Sequence, residues 1–403
     1  MITAKNRIQD RIEELFTLAP GSGGANRPAY SKQEAGAMLL VAGWAREVGL
    51  EPGVDPFGNL WCLPPGDEPF VTSGSHVDTV PDGGRLDGPL GTVLAVEAAG
   101  RVSERRGILV CAAEEAARFG AGTLGSRSMT GKLSDGDLAR MCDTEGQNAL
   151  GARAEYLVAL EEIPRLERAP LERVLAHVEV HIEQRTDLRK HGLSLGVATT
   201  IAGPVRHRLR FTGEVAHAGE TPATERRDAL CAAADTVLIS EKLCKQYAPR
   251  TTATAGTLLI HPNSLTSIPG VAELGVDIRS VEAREAKRLL DELLGGARTA
   301  ADSRGVDLTD VPLSASEPTV MDEAMVRAAE AACEKLDVSC GRCVSFAGHD
   351  AQHIAGVVPA ALLFVASENG VSHAPDEAAD WKDVEAALAV LTALMKNLQG
   401  GKR

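Results

Sequence analysis

Residues 107–115 read GILVCAAEE, an unbroken apolar run that closes on two adjacent carboxylates. This is the pattern of a strand buried on both faces. Residues 91–101, rich in Ala and Val, precede it and read as a helix. Further toward the N-terminus, Leu60 to Val80 reads as two strands around a turn at Pro64-Pro65-Gly66, followed by a dense loop from Pro81 to Gly91. Residues 33–48 have helical spacing. So do residues 5–17, where Ile8, Ile12, Leu15 and Phe16 share a face. Buried strands alternating with helices imply an α/β sheet covered on both faces.

The pattern changes near residue 205. RHRLRFTGEVAH (206–217) alternates like a half-buried strand, and residues 226–247 read as a long helix. TATAGTLLIHP (252–262) and VAELGVDIRS (271–280) read as strands, and residues 281–303 as a helix. This β-α-β-β-α-β order is that of a small, ferredoxin-like α+β sandwich inserted in the chain. From about residue 320 the order returns to helix, strand, loop, helix. The expected fold is therefore two-domain α/β. A discontinuous sheet domain spans residues 1–205 plus 318–403, and an α+β insert spans 206–317.

The 403 residues suffice for two domains, and 44% hydrophobic with 24% charged residues is ordinary globular composition. The 42 basic and 56 acidic residues give a net charge of −14, and aromatics make up 3%. Such a surface repels nucleic acid and anionic membrane and offers few stacking rings, so neither partner is expected. No apolar run approaches the roughly 20 residues that span a bilayer. The opening MITAKNRIQDRIEELFTLAP has charges every few residues, unlike a signal peptide. The eight scattered cysteines then read as reduced thiols, and a cytoplasmic location is expected. Cys340 and Cys343 form a CxxC without a second pair at zinc-finger spacing, and read as two small thiols.

Three stretches gather metal-ligand residue types where strands should end. In GSHVDTVPDGGRLDGPLG (74–91), His76 and Asp78 stand two apart. On a strand end that spacing puts both on one side, so Asp78 can hold the non-ligating nitrogen of His76. Asp87 follows in a Gly-rich loop that allows close approach to an ion. In AAEEAARF (112–119), Glu114 and Glu115 point in different directions, so one can ligate while the other holds a water. The third set is the isolated histidines, His181 in HIEQ and His373 in NGVSHAPDE. A lone His near a strand end is most often structural, and an EE pair is usually solvated surface. Here both glutamates follow an apolar strand, where unpaired charge is costly to bury and a cation would remove the cost. The sum is a nitrogen and oxygen ligand set of the two-metal hydrolytic kind, suited to zinc or manganese.

These stretches occur with LGSRSMTG (124–131), AHAGETPATERRDAL (216–230), PNSLTSIPG (262–270), DIR (277–279) and FAGHDAQ (346–352). Together they resemble the amidase branch of the co-catalytic zinc aminoacylase/carboxypeptidase superfamily. That branch holds N-carbamoyl-L-amino-acid hydrolases, allantoate amidohydrolases and β-ureidopropionase-type enzymes. The motifs run in the family's order over nearly the whole chain. The resemblance implies two divalent metal ions per subunit, zinc or manganese, with cobalt and nickel also compatible. Asp87 would bridge them, His76 and His181 would complete one site, and Glu115 and His373 the other. Glu114 would be the general base, taking a proton from the attacking water and delivering one to the leaving nitrogen. Asp78 would stand behind His76.

The same resemblance implies that Arg279 clamps the substrate carboxylate, a bidentate task suited to guanidinium. His217 would reach from the small domain into the partner subunit of a homodimer and stabilise the tetrahedral oxyanion. Gln184, His349 and Asp350 would line the amide or ureido pocket, and Gly370 would offer backbone to substrate. Asn263 would assist at the carboxylate. Thr266 stands where the family commonly has a second Asn, and Phe346 where it usually has Gly. EEAARF replaces EEGSRF, HIEQ lacks a following GP, and Ala223 replaces Met. The predicted ligands and base are all retained. The expected activity is therefore metal-dependent hydrolysis of a carbamoyl or ureido C–N bond on a small carboxylate substrate. Thr266 and Phe346 favour an aminoacylase or dipeptidase as the alternative, and a non-enzymatic binding protein is a third reading.

Overall fold

The apolar run at 107–115 becomes a strand over Arg106–Val110 in the computed structural model, which describes residues 4–400. Ile108, Leu109 and Val110 are buried. On one side this strand pairs in parallel with Phe70–Ser73, which pairs in parallel with Val174–Ile182, and that strand in turn with Ala360–Val365. These four parallel strands form the centre of the sheet. Antiparallel strands extend it, with Leu60–Leu63 and Glu51–Val54 on one flank and Leu195–Ile201 on the other. The helix Pro89–Ala99 is buried at every residue and packs on the Val174–Ile182 strand, with helices Ala4–Leu18 and Trp381–Leu398 against it. A helix apolar all round must lie inside. It starts at Pro89, two residues earlier than expected, because Pro suits the first helical position. Its Gly91 is required by contact, since a Cβ there would lie 1.8 Å from the Val180 carbonyl oxygen.

The 107–115 strand stops five residues short of the expected end. Cys111 still bridges to His76, but Ala113 has φ +54 and the backbone leaves the sheet. The strand Val174–Ile182 (VLAHVEVHI) does not stand out in the sequence as a buried strand. It alternates apolar with His177, Glu179 and His181, as a half-exposed strand would, yet all three polar residues are buried. Each finds a polar partner. His177 Nδ1 bonds the Thr72 hydroxyl at 3.0 Å, and Glu179 accepts from Ser75 Oγ at 2.9 Å and from the Ala351 amide at 2.8 Å.

Thr200–Val320, together with Val344–Ala347, forms a second compact unit. Its four-stranded antiparallel sheet has the order Asp307–Ala315, Gly203–Thr212, Val271–Ser280, Thr251–His261. Helices Ala229–Tyr247 and Ala283–Asp302 pack on each other and on this sheet. Val271–Ser280 alternates without a break. Ala272, Leu274, Val276 and Ile278 join Phe211, Leu289 and Leu293 in the core, which leaves Asp277 and Arg279 on the opposite face. The first helix begins at Ala229, not at Arg226 as expected. Asp228 caps it by accepting from the Cys231 amide at 3.1 Å, while Arg226 donates to the Ala218 carbonyl at 2.7 Å. Among the described residues no helix is long and apolar enough to cross a membrane.

Full burial of one Leu side chain contributes roughly 1.5–3 kcal/mol. Leu289→Ala, at a site 0% exposed, is expected to destabilise the protein by about 2–5 kcal/mol in urea unfolding. Val158→Ala, at a site 67% exposed, is expected to change it by no more than about 0.5 kcal/mol.

Candidate metal centre

Each of the four central parallel strands sends a candidate ligand from its carboxyl end. This is where open α/β sheets place their sites. The segment after Phe70–Ser73 carries His76, Asp78 and Asp87, and the segment after Arg106–Val110 carries Glu114 and Glu115. His181 is the penultimate residue of Val174–Ile182, and His373 follows Ala360–Val365. The fold gathers them into two groups that share one carboxylate, His76–Asp87–His181 and Asp87–Glu115–His373, each with ligand atoms within 4.8 Å of one another. His76 Nε2 and His181 Nε2 lie 3.5 and 3.2 Å from Asp87 Oδ1. His373 Nε2 lies 3.5 Å from both Asp87 Oδ2 and Glu115 Oε1. Ligands about 2.1 Å from a tetrahedral ion stand about 3.4 Å apart, so the spacing suits a cation. Glu114 belongs to neither group. Its Oε2 stands 3.9 Å from His76 Nε2.

The imidazoles are oriented for this. His76 Nδ1 faces the Asp78 carbonyl at 3.2 Å and its carboxylate at 3.3 Å, and His181 Nδ1 faces the Ile182 carbonyl at 2.9 Å. A carbonyl only accepts, so Nδ1 carries the proton and Nε2 is the ring atom aimed at Asp87. His76 Nε2 is buried with no hydrogen-bond partner among the described residues. Gly88 makes room for that ring. At φ +82, a Cβ there would lie 2.4 Å from His76 Cε1.

Three fully buried side chains fix the backbone of 112–115. Asn59 Oδ1 accepts from the Ala112 amide at 3.0 Å, and Glu34 Oε1 from the Ala113 amide at 2.7 Å. The two oxygens of Asp78 accept from the Glu114 and Glu115 amides at 3.1 and 2.9 Å. These bonds replace the sheet ladder and hold Ala113 left-handed, which turns the adjacent glutamates toward the site. Glu34 and Asn59 were not legible as site residues. The visible signal at Glu34 is the N-cap pattern Ser31-x-x-Glu34, in which Ser31 Oγ accepts from the Glu34 amide at 3.1 Å; it accounts for neither the 2.5 Å bond from the Tyr30 amide to the Glu34 carboxylate nor its hold on Ala113.

The electrostatics are those of crowded, buried charge. Burial, then the charges of Glu115 and Asp350 against that of His76, hold the Glu114 carboxyl well above its ordinary value. Burial and the Asp87 charge push Glu115 up to about 8. Burial lowers His76, but Glu114, Asp78 and Asp87 outweigh it and raise it well above the imidazole range. Burial also acts on Asp87, yet His181 and His76 hold it well below the usual carboxylate range.

Other predicted residues fall around this centre. Gln184 donates to Asp87 Oδ2 at 2.8 Å, and Ser372 donates to the same oxygen at 2.6 Å. His349 and Asp350 are each 1% exposed. The His349 ring lies edge-on to His181 at 4.6 Å, and Asp350 Oδ1 accepts from Ser126 at 2.5 Å. Burial and Glu179 push Asp350 up to about 8, and burial with His181 holds His349 well below the imidazole range. Gly370 has φ +67, and its amide donates to Ser367 Oγ at 2.9 Å.

The second unit holds the remaining candidates. His217 is exposed, and its strand Ala216–His217 pairs with Ser267–Ile268. The Ala218 amide donates to the Thr266 carbonyl at 3.0 Å, so His217 and Thr266 are neighbours. His217 Nδ1 accepts from the amides of Gly219 and Glu220, both at 3.2 Å, which leaves Nε2 as the protonated, donating nitrogen. Asn263 is exposed, with φ +53. Arg279 donates from Nε to Asp277 Oδ1 at 2.9 Å and from Nη1 to the Phe346 carbonyl at 2.8 Å. Asp277, legible in the sequence only as part of DIR, is thus the orienting partner of Arg279.

The description "Peptidase family M20/M25/M40" fits residues 73–397, and the chain belongs to this family. It is similar to the N-carbamoyl-L-amino acid amidohydrolase of Geobacillus stearothermophilus, 33% identical over 98% of this chain and 99% of that one. It is equally similar to the allantoate amidohydrolase of Bacillus subtilis, 33% identical over 98% of both. Among solved structures, a hydantoinase/carbamoylase family amidase from Burkholderia vietnamiensis superposes with TM-score 0.86 at 30% identity, covering 98% of this chain and 97% of that one. Within the family the chain stands with this amidase branch, as a hydrolase of non-peptide C–N bonds.

Asp78→Asn would leave one acceptor and bring an NH₂ group against backbone N–H donors. The expected loss is about 1–3 kcal/mol of folding free energy. Urea unfolding measures it.

Proposed function

We propose that the chain hydrolyses the carbamoyl or ureido C–N bond of a small carboxylate, an N-carbamoyl-L-amino acid or an allantoate-like compound, using two divalent cations. The observation that carries this reading is the pair of ligand groups joined through Asp87, with Glu114 in neither and its Oε2 3.9 Å from His76 Nε2. The N/O donor set and the buried His76 Nε2, without a hydrogen-bond partner among the described residues, fit zinc or manganese. His76, Asp87 and His181 would hold one ion, and Asp87, Glu115 and His373 the other. Bound there, the ions would polarise the carbamoyl oxygen and acidify water. Glu114 takes the proton from the attacking water and passes one to the departing nitrogen.

In this reading the larger unit, expected from the sequence over residues 1–205 plus 318–403, is the catalytic domain, and the smaller, expected over 206–317 and compact over Thr200–Val320 with Val344–Ala347, is a dimerisation and lid domain. Arg279, braced by Asp277, keeps guanidinium donors for the substrate carboxylate, with Asn263 and Thr266 assisting. His217 serves the partner subunit's oxyanion, and its Nε2–H tautomer supports the role. Gln184, His349 and Asp350 surround the ureido end, and Gly370 offers backbone. The relatives named as N-carbamoyl-amino-acid and allantoate amidohydrolases support this substrate class. N-carbamoyl amino acids would yield ammonia, carbon dioxide and the amino acid, and allantoate would yield ammonia, carbon dioxide and ureidoglycine.

Ammonia release from metal-loaded protein tests the reading. Turnover of N-acyl amino acids without any ammonia from carbamoyl substrates would replace it with an aminoacylase. Glu114→Gln should lower kcat about 10²–10⁴-fold with unchanged metal content by elemental analysis. Arg279→Ala removes charge-assisted bonds of about 1.5–3 kcal/mol, so KM for carboxylate substrates should rise roughly 10–100-fold, with kcat little changed.

A further inference from the structure

One buried carboxylate behind the ligand loops has no role in the reading above. Glu377 is 3% exposed. Its Oε2 accepts from the backbone amides of Leu86 and Asp87 at 2.9 and 3.1 Å. Its Oε1 accepts from the amide of His373 at 3.0 Å and contacts the Ser372 hydroxyl at 3.4 Å. That hydroxyl makes its shorter bond, 2.6 Å, to Asp87 Oδ2. One side chain therefore ties together the two segments that supply Asp87 and His373. The backbone closes over it, since a Cβ on Gly84 would lie 2.0 Å from Glu377 Cδ. The other ligands have separate anchors: His181 sits within a central strand, His76 is held by Asp78, and Glu115 takes its amide bond from Asp78.

We propose that Glu377 is a positioning residue that fixes Asp87 and His373 as one unit, so that its carboxylate acts chiefly on the affinity of the Asp87–Glu115–His373 group for its cation, since the His76–Asp87–His181 group meets the other oxygen of Asp87 and has no share in His373. This rests on the two-cation reading above. The chemistry requires two acceptor oxygens, because N–H donors approach both. Glu377→Gln keeps the size and supplies one acceptor. Its NH₂ group must then face a backbone N–H, and one of the two segments loses its tether.

The test is calorimetric titration with Mn²⁺ of the full-length wild type, Glu377→Gln and His373→Ala, with elemental analysis of each. For Glu377→Gln we expect one of two equivalents to weaken about 10–100-fold and the other to stay within about threefold, with His373→Ala losing that same equivalent. A chain that is merely less stable would not lose one ion selectively. Unchanged constants in Glu377→Gln, or equal weakening of both ions, overturns the proposal. A wild type that binds one ion defeats the two-cation reading by itself. Glu377 is then judged on that ion: matched weakening in Glu377→Gln and His373→Ala upholds it, and any other result overturns it. If Glu377→Gln shows no cooperative unfolding transition, Glu377→Asp, which keeps both acceptor oxygens on a shorter arm, takes its place under the same criteria.

Discussion

Everything in the larger unit is arranged around buried negative charge. Glu34, Asp78, Asp87, Glu115 and Glu377 are all buried, and Glu114 stands at their edge. Carboxylates out of water are costly unless donors or cations meet them. The fold supplies part of the compensation from its own backbone: amides of Tyr30, Leu86, Asp87, Ala113, Glu114, Glu115 and His373 point into these oxygens. Arg27, fully buried, adds a positive charge near Asp78 and Glu34, although burial lowers it to about 10. The imidazoles of His76 and His181 meet Asp87. What remains is a set of N and O atoms facing one another, which is the condition under which a divalent ion binds.

That arrangement explains why the sheet ends where it does. A strand can place one residue at its tip, and four parallel neighbours can place four. Bringing two adjacent glutamates, a shared aspartate and a loop histidine to the same point requires the chain to leave sheet geometry. The amides released from the ladder at 112–115 must then be met elsewhere. Asn59, Glu34 and Asp78 meet them, so the positive φ of Ala113 is held from three directions. These polar side chains act on the backbone of the candidate ligand segments, and the candidate ligands inherit their aim.

The smaller unit follows a different logic. Its sheet has one face on helices, and the period of two in Val271–Ser280 alone puts Arg279 and Asp277 together on the other face. There the carboxylate of Asp277 takes Arg279 at Nε, and the Phe346 carbonyl takes Nη1. The guanidinium is thereby held flat with donors to spare. His217 is set by local turn geometry, with two amides on Nδ1 deciding which nitrogen donates.

The strand periods, the order of the elements and the ligand types were written in the sequence, because apolar periodicity and residue chemistry are local properties. His76, Asp87, Glu115, His181 and His373 could be named from motifs, and the geometry brings these five together. The early end of the 107–115 strand, the burial of His177 and Glu179 in an alternating segment, and the enclosure of His349 and Asp350 could not. Nor could the work of Glu34, Asn59 and Glu377. Each is one polar residue whose partners lie 79, 53 and 290 residues away along the chain. Sequence fixes what a side chain can donate or accept. Only the packed tertiary structure decides which distant amide stands 3 Å away to receive it, because that distance is the sum of every strand, turn and helix in between.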